Sequence, residues 1–352
     1  MNTDPRTWFS SLAGKTTPMT ATMGFVPKIL RGSAFICVCL WFLPLPAPAQ
    51  ESEQEVAANL AAGRVVVYVA GNGIVIGAAE PAGAGVEPGS RPPAVLPLGG
   101  GRIGILLGAI EWLAPASGHP PVRLDRELPR LASEAAPRRR QTEPEQASDI
   151  ESIGVALLER LHTLAGQLHR KLDLKPEEPL LELLLVNYVE NYGPEVWLLR
   201  YRIAQDAWRG DYWRTRVLRP SYTQLYPPEK GHPRTLIEVR YPADAPGPAL
   251  LDLLKQNDPR VARLGSADEA MSRASERLIR GETNKGSADD AAAFLRAALP
   301  AVWGADAKLV LGVLREQRGF EWVVQPPELP QTAEEGKPRE PGAPTLLKKP
   351  PE

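Results

Sequence analysis

The stretch Val65-Val-Val-Tyr-Val-Ala-Gly71-Asn-Gly73-Ile-Val-Ile-Gly77-Ala-Ala-Glu80 sets glycines behind a β-branched run, the composition of a loop that cradles phosphate. Such a loop works because its glycines close a strand and open a helix, whose free N-terminal amides hold the pyrophosphate. Gly71, Gly73 and Gly77 lack that spacing, and Ile74-Val-Ile76 followed by Pro81 starts no helix. Gly71-Asn72-Gly73 between two β-branched runs predicts a tight hairpin turn built on positive φ angles. No nucleotide or other cofactor is expected.

The remaining reactive side chains are weighed in the same way. His162 and His169 lie seven residues apart on one helical stripe, but two imidazoles do not complete a metal site, so no metal is expected. Arg123-Leu-Asp-Arg-Glu-Leu-Pro-Arg-Leu131 mixes charges that can exchange protons, and a solvated helix start explains it equally well. Trp197, Tyr201, Trp208, Tyr212, Trp213 and Arg214 are either cross-strand pairs in a sheet or a recognition surface, since Trp, Tyr and Arg dominate binding hot spots. Catalytic residues are unknown at this stage.

Both cysteines, Cys37 and Cys39, fall inside the apolar run Ala34–Pro46. Lys28 and Arg31 precede that run and Ala47-Pro48-Ala49 follows it, the order of basic, apolar and cleavage regions in a secretory signal peptide. Met23 is an alternative start to Met1. Cleavage after Ala49 leaves an exported, periplasmic or extracellular chain with no thiol, which excludes cysteine nucleophiles and cysteine zinc sites. The first 49 residues hold Arg6, Lys15, Lys28 and Arg31 against Asp4, a net +3, so the whole chain's −1 becomes −4. That mild acidity argues against nucleic acid as a partner. No later segment is long and apolar enough to span a membrane.

Composition then divides the chain into a signal region (1–49), a polar leader (50–62), an α+β domain (63–325) with a charged linker at 132–147, and a proline-rich tail (326–352). The tail has too little apolar content to offset the entropy of ordering, and is expected to be disordered. Inside the domain, Gly99–Pro115 suits a buried strand pair or one long bent strand. Ser148-Asp-Ile-Glu151 forms a capping box for a helix whose stripe is Ile150, Ile153, Leu157, Leu161, Leu164, Leu168 and Leu172, with Lys171 and Lys175 near its end.

A meander is expected next: Leu180–Glu190, the turn Asn191–Pro194, Glu195–Ile203, the turn Arg209–Asp211, Tyr212–Leu218 and Thr235–Tyr241. In its second strand Trp197, Leu199, Tyr201 and Ile203 oppose Val196, Leu198, Arg200 and Arg202, the period of a half-buried strand. The first, apolar on both faces from Leu183 to Val186, belongs inside a layered sandwich. Ser266-Ala-Asp-Glu269 and Ser287-Ala-Asp-Asp290 are expected to open two helices, the second ending before Pro300, and two short elements close the domain.

The hairpin, then Pro93-Ala-Val-Leu-Pro-Leu-Gly99 running into Gly101-Arg-Ile-Gly-Ile-Leu-Leu-Gly108, then the long helix, then Leu183–Tyr201, resembles the proteasome-type branch of the N-terminal nucleophile hydrolases over roughly 63–320. The resemblance implies a four-layer αββα sandwich, two antiparallel sheets between helix layers; the alternative is another α+β fold with an antiparallel meander. It also implies a Thr, Ser or Cys at the start of the first strand, with its own freed α-amine as base. That place falls near Ala62-Gly63-Arg64, where none of the three residues can attack a carbonyl. The family's acidic position falls on Glu80, and its basic position on Pro93, Ala94 or Val95. Signal cleavage exposes Gln50, and the nearest hydroxyl, Ser52, lies in the leader.

Two functions follow. One is a catalytically degenerate hydrolase-like domain that binds or scaffolds a peptide or protein partner; the other is an exported amide or peptide hydrolase whose nucleophile is unplaced. Oligomeric state is not determined by the sequence.

Overall fold

The computed structural model describes residues 59–80, 92–112, 121–135, 149–167, 178–189, 193–208, 212–244 and 247–326. The chain forms a mixed α+β fold with two large antiparallel sheets. It begins with β1 (Asn59–Ala61), β2 (Gly63–Ala70) and β3 (Gly73–Glu80), followed by β4 (Ala94–Gly99), β5 (Arg102–Trp112) and β6 (Val122–Arg123). Two helices, α1 (Leu124–Ala135) and α2 (Asp149–Ala165), separate these from β7 (Leu181–Val189) and β8 (Gly193–Tyr201). Then come β9 (Ile203–Trp208), β10 (Tyr212–Val217), β11 (Ser221–Tyr226) and β12 (Ile237–Tyr241). Helices α3 (Leu250–Lys255), α4 (Pro259–Ala267), α5 (Glu269–Ile279) and α6 (Ala288–Trp303) precede β13 (Lys308–Arg315) and β14 (Gly319–Val324).

One sheet runs β1-β5-β7-β8-β11, with β4 and β6 also paired to β5; the other runs β12-β2-β3-β13-β14. Strand alternation distributes each sheet between two cores. Leu181, Leu183, Leu185, Leu199 and Tyr201 lie in one cluster with α1 and α2, while Val66, Tyr68, Val75, Leu311 and Val313 lie in another with α3 to α6. The opposite faces of both sheets meet in a third cluster, where Val65, Val67, Ile74 and Ile76 share burial with Ile103, Ile105, Leu184, Val186 and Leu198. Strands apolar on both faces are the direct result of having a core on each side.

The hairpin forms as expected, with Ala70 paired to Gly73. Its φ angles correct the expectation: neither Gly71 nor Gly73 adopts positive φ. Close approach explains these glycines instead. A Cβ on Gly71 would stand 2.7 Å from the Asn284 carbonyl oxygen, and one on Gly73 would stand 3.0 Å from the Ala288 Cβ. The turn sits on the N-terminus of α6, where the Ala288 amide donates to Asn72 Oδ1 at 2.8 Å. A helix N-terminus does meet the glycine loop, but the chain's own side chain occupies it.

Of Gly99 to Pro115, the described residues 99–112 form the end of β4, a glycine turn and the long strand β5, and 113–115 lie outside the described residues. At Gly108 (φ +94°) β5 turns away from β4, and a Cβ there would lie 2.6 Å from the Leu180 carbonyl oxygen. Other boundaries move. The end of the polar leader is β1, because Ala61 and its neighbours complete the edge of β5 past Gly108. Ala132–Ala135 of the expected linker belong to α1, since Leu128 and Ala132 are buried on one helical stripe. The rest of the linker, the tail from 327 on, residues 1–58, Ser148, Leu168, Leu172, Lys171, Lys175, Asn191, Tyr192 and Arg209–Asp211 lie outside the described residues.

The meander is also broken. Only β7, β8 and β11 are consecutive neighbours; β9 and β10 leave as a two-stranded hairpin, and β12 joins β2 in the second sheet. β11 was missed because its residues Ser221–Gln224 are exposed and carry no apolar alternation. In the helical part, Asp268 rather than Ser266 caps α5, accepting from the Ala270 amide, and Ser266 lies within α4. Helix α6 does open at Ser287 but runs through Pro300 to Trp303. Proline near the last turn forfeits one amide bond, and burial of Leu299 and Trp303 holds the turn in place.

Candidate functional site

The start of β2 is where the resemblance calls for chemistry, and the structure sets Gly63, Glu80 and Pro93 close to one another there. Gly63 has φ +151°, and a Cβ on it would stand 2.4 Å from the Ala79 carbonyl oxygen and 2.8 Å from Cδ of Pro93. The Arg64–Ala79 pairing brings Glu80, the next residue of β3, to the same end. Glycine, glutamate and proline thus meet at the strand start, and neither Ala94 nor Val95, the other residues on which the basic position could fall, is ionisable. Glu80 Oε2 lies 3.6 Å from Lys308 Nζ. Upstream of Gly63, Ala62 leads back into β1, whose Ala61 pairs with Gly108 of the other sheet.

Arg64 follows and is 4 % exposed. Its Nη1 donates to the Pro248 carbonyl at 3.2 Å and lies 3.9 Å from Glu238 Oε1. Cross-strand pairing sets Arg240 directly opposite, and Arg240 Nε donates to the same carboxylate oxygen at 3.1 Å. The second oxygen, Glu238 Oε2, accepts from the Leu250 amide at 3.0 Å, at the first residue of α3. One carboxylate therefore joins two guanidinium groups and a helix start. Burial lowers the pKa of Arg64, and Arg240 lowers it further while Glu238 opposes them. The Arg64 side chain fills the space against residues 247–248: a Cβ on Gly247 would come 2.2 Å from its Nη2.

Between the sheets the same end of the molecule holds a second polar group. Glu182, 3 % exposed, alternates with Leu184 and Val186 and shares their face. Arg200 Nε donates to its Oε1 at 2.7 Å, and its Oε2 accepts no hydrogen bond among the described residues. Burial raises the Glu182 pKa, and the Arg200 bond opposes that shift. Tyr241, which pairs with Gly63, donates its hydroxyl to the Pro179 carbonyl at 3.0 Å, and burial holds its pKa well above the ordinary phenol value.

The aromatic and arginine group is not one surface. Tyr201 is buried and donates to the Gly154 carbonyl at 3.0 Å; Trp197 packs on the same core and donates to Glu195. Trp208 and Tyr212 pair through their backbones, Trp213 is half-buried, and Arg214 is exposed. His162 bonds the Val217 carbonyl, tying α2 to β10, and His169 lies outside the described residues. No group of acids and imidazoles suited to a metal occurs among the described residues. Within 123–131, Arg123 pairs with Asp125, and Glu127 with Arg160 through two bonds at 2.7 and 2.8 Å that join α1 to α2, while Arg126 and Arg130 are exposed.

Sequence reasoning missed the Arg64–Glu238–Arg240 cluster. Its signal was available in part, since Arg64 is a lone charge opening an unbroken valine run, but its partner lies more than 170 residues away. Chemically, this end of the molecule offers carboxylates, guanidinium groups and phenols. Leu60–Val67 carry neither hydroxyl nor thiol. The chain matches no protein-family model and no curated protein sequence.

Proposed function

We propose that this chain is an exported binding or scaffolding protein, built on a catalytically degenerate domain of the proteasome-type N-terminal nucleophile hydrolase fold. The sharing of one buried cluster by two antiparallel sheets, each with helices on its other side, supports the αββα layering of that family. One observation carries the functional reading: Gly63, Glu80 and Pro93 stand together at the strand start with no room for a side chain on Gly63. The family's reaction needs a hydroxyl or thiol and a free amine on one residue, facing amides that hold the developing oxyanion. Gly63 has no side chain, and none of Pro93, Ala94 and Val95 supplies the cationic group of the family's basic position. Export rests on the basic, apolar and Ala47-Pro48-Ala49 order of the N-terminus.

The test is to express the full chain with its signal region, read the N-terminus by mass spectrometry, and incubate the product with an amide and peptide library and an electrophile that labels N-terminal nucleophiles. A protein beginning at Gln50, without turnover or labelling, is the expected result. Stoichiometric labelling at a new N-terminus, or turnover abolished by one Ser or Thr substitution, would overturn the non-enzymatic reading in favour of an amide hydrolase.

A further inference from the structure

The β9–β10 hairpin has one face inward and one outward. Val217 and Ile203 pack on the core beneath α2, and Gln205 donates to the buried Thr215 at 2.7 Å. Pairing register then places the alternate residues on the outer face: Arg214 opposite Asp206, Arg216 opposite Ala204, and Leu218, whose amide donates to the Arg202 carbonyl. All of Arg202, Asp206, Arg214, Arg216 and Leu218 are exposed, Leu218 by 45 %. Asp206 is the only acid in the row and bonds Arg216 at 2.9 Å. Arg202 and Arg214 make no ion pair among the described residues.

The cation type is informative. Between residues 176 and 229 the chain has no lysine, yet residues 200–219 carry six arginines against Asp206 and Asp211, in a protein of net charge −1. Arginine presents a planar fork that takes a carboxylate by two parallel hydrogen bonds, which a lysine ammonium does not. Residues two apart on a strand stand about 7 Å apart on one face, the spacing of alternate side chains in any other extended chain. Asp206 within the row, and apolar Leu218 at its end, break the uniform positive field that a polyphosphate backbone or an anionic bilayer would favour.

We infer that the outward face of β9–β10 is a docking surface for an acidic, extended segment of a partner protein, with carboxylates at alternate positions reaching Arg214, Arg216 and Arg202 and an apolar side chain on Leu218. The inference rests on the reading that this chain works by binding, and it names the chemistry of the partner. Asp206 competes with the peptide for Arg216 and so limits affinity for generic acidic chains.

The experiment measures fluorescence anisotropy of a labelled peptide of alternating Glu and Val, with alternating Gln and Val as control, on the full chain at low salt. Saturable binding of the Glu peptide alone is expected, weakened by roughly tenfold in Arg214→Gln/Arg216→Gln and by rising salt. Asp206→Ala is expected to tighten it, a gain that a merely structural role would not produce. Both variants alter exposed side chains, and an unchanged unfolding temperature checks their fold. Binding absent in the native protein, unaffected by the double variant, or stronger for phosphatidylglycerol vesicles or single-stranded DNA than for the peptide would overturn the inference. Mass spectrometry of the same samples separates the two readings: cleavage of the peptide sinks the non-enzymatic function, whereas uncleaved but arginine-independent binding sinks only the docking surface.

Discussion

The start of β2 and the outward face of the β9–β10 hairpin both set arginines beside a single carboxylate, and the fold treats them in opposite ways. At β2 the group is enclosed: Arg64 is buried and Glu238 and Arg240 are half-buried, Glu238 meets Arg64, Arg240 and the Leu250 amide, and the residues around it leave no room for an added Cβ on Gly63 or Gly247. On the hairpin the group is in water, and Asp206 answers only Arg216. Burial makes an ion cluster costly to disturb, because a stranded charge loses its partner where water cannot replace it. Exposure makes an ion pair nearly worthless for stability but leaves its charges available to a partner. The charges at the start of β2 are committed within the fold, and those of the hairpin face stand in water.

Three substitutions test this contrast. The largest effect is expected for Glu238→Ala, which removes the carboxylate facing the buried Arg64, leaves Arg240 with one fewer partner and removes the acceptor at the start of α3. Loss of one member of a buried pair costs about 3–5 kcal/mol, read as a lowered denaturant midpoint. A loss within experimental error would mean that the β2 cluster is no more committed than the hairpin row. Next is Gly63→Ser, which places a hydroxyl at the strand start, where the proposed hydrolase relationship would put a nucleophile. A positive φ together with a 2.4 Å approach to the Ala79 carbonyl predicts a loss of about 1–3 kcal/mol, by thermal unfolding, with no gain in amide turnover. A stable variant that hydrolyses would show that the site is intact and lacks only its nucleophile. The smallest effect is expected for Arg214→Gln, within about 0.5 kcal/mol of the native stability by the same measurement. A larger destabilisation would place Arg214 in the structure rather than on a docking face.

Part of this molecule was legible in the sequence because its causes are local. A two-residue turn between β-branched runs can only return the chain, so the Gly71–Asn72 hairpin was readable, and the stripe from Ile150 to Leu164 specified a helix with one buried face. Strands apolar on both faces required a core on either side. The type of fold, α+β with antiparallel sheets, followed from these periods, as did the lack of a hydroxyl or thiol in Leu60–Val67.

Tertiary structure decided what local pattern leaves open. Hydrogen-bond partners of a strand carry no sequence mark, so neither the departure of β9–β10 from the meander nor the pairing of β12 with β2 was written in Thr235–Tyr241 itself. The glycines of the hairpin turn owe their identity to Asn284 and Ala288, more than 200 residues later, and not to the turn's own φ angles. Arg64 read as one charge in a valine run until the fold set Glu238 and Arg240 against it. The physical reason is the same in each instance: local propensity acts over a few residues, whereas burial and close approach act between whatever residues the packed chain brings together.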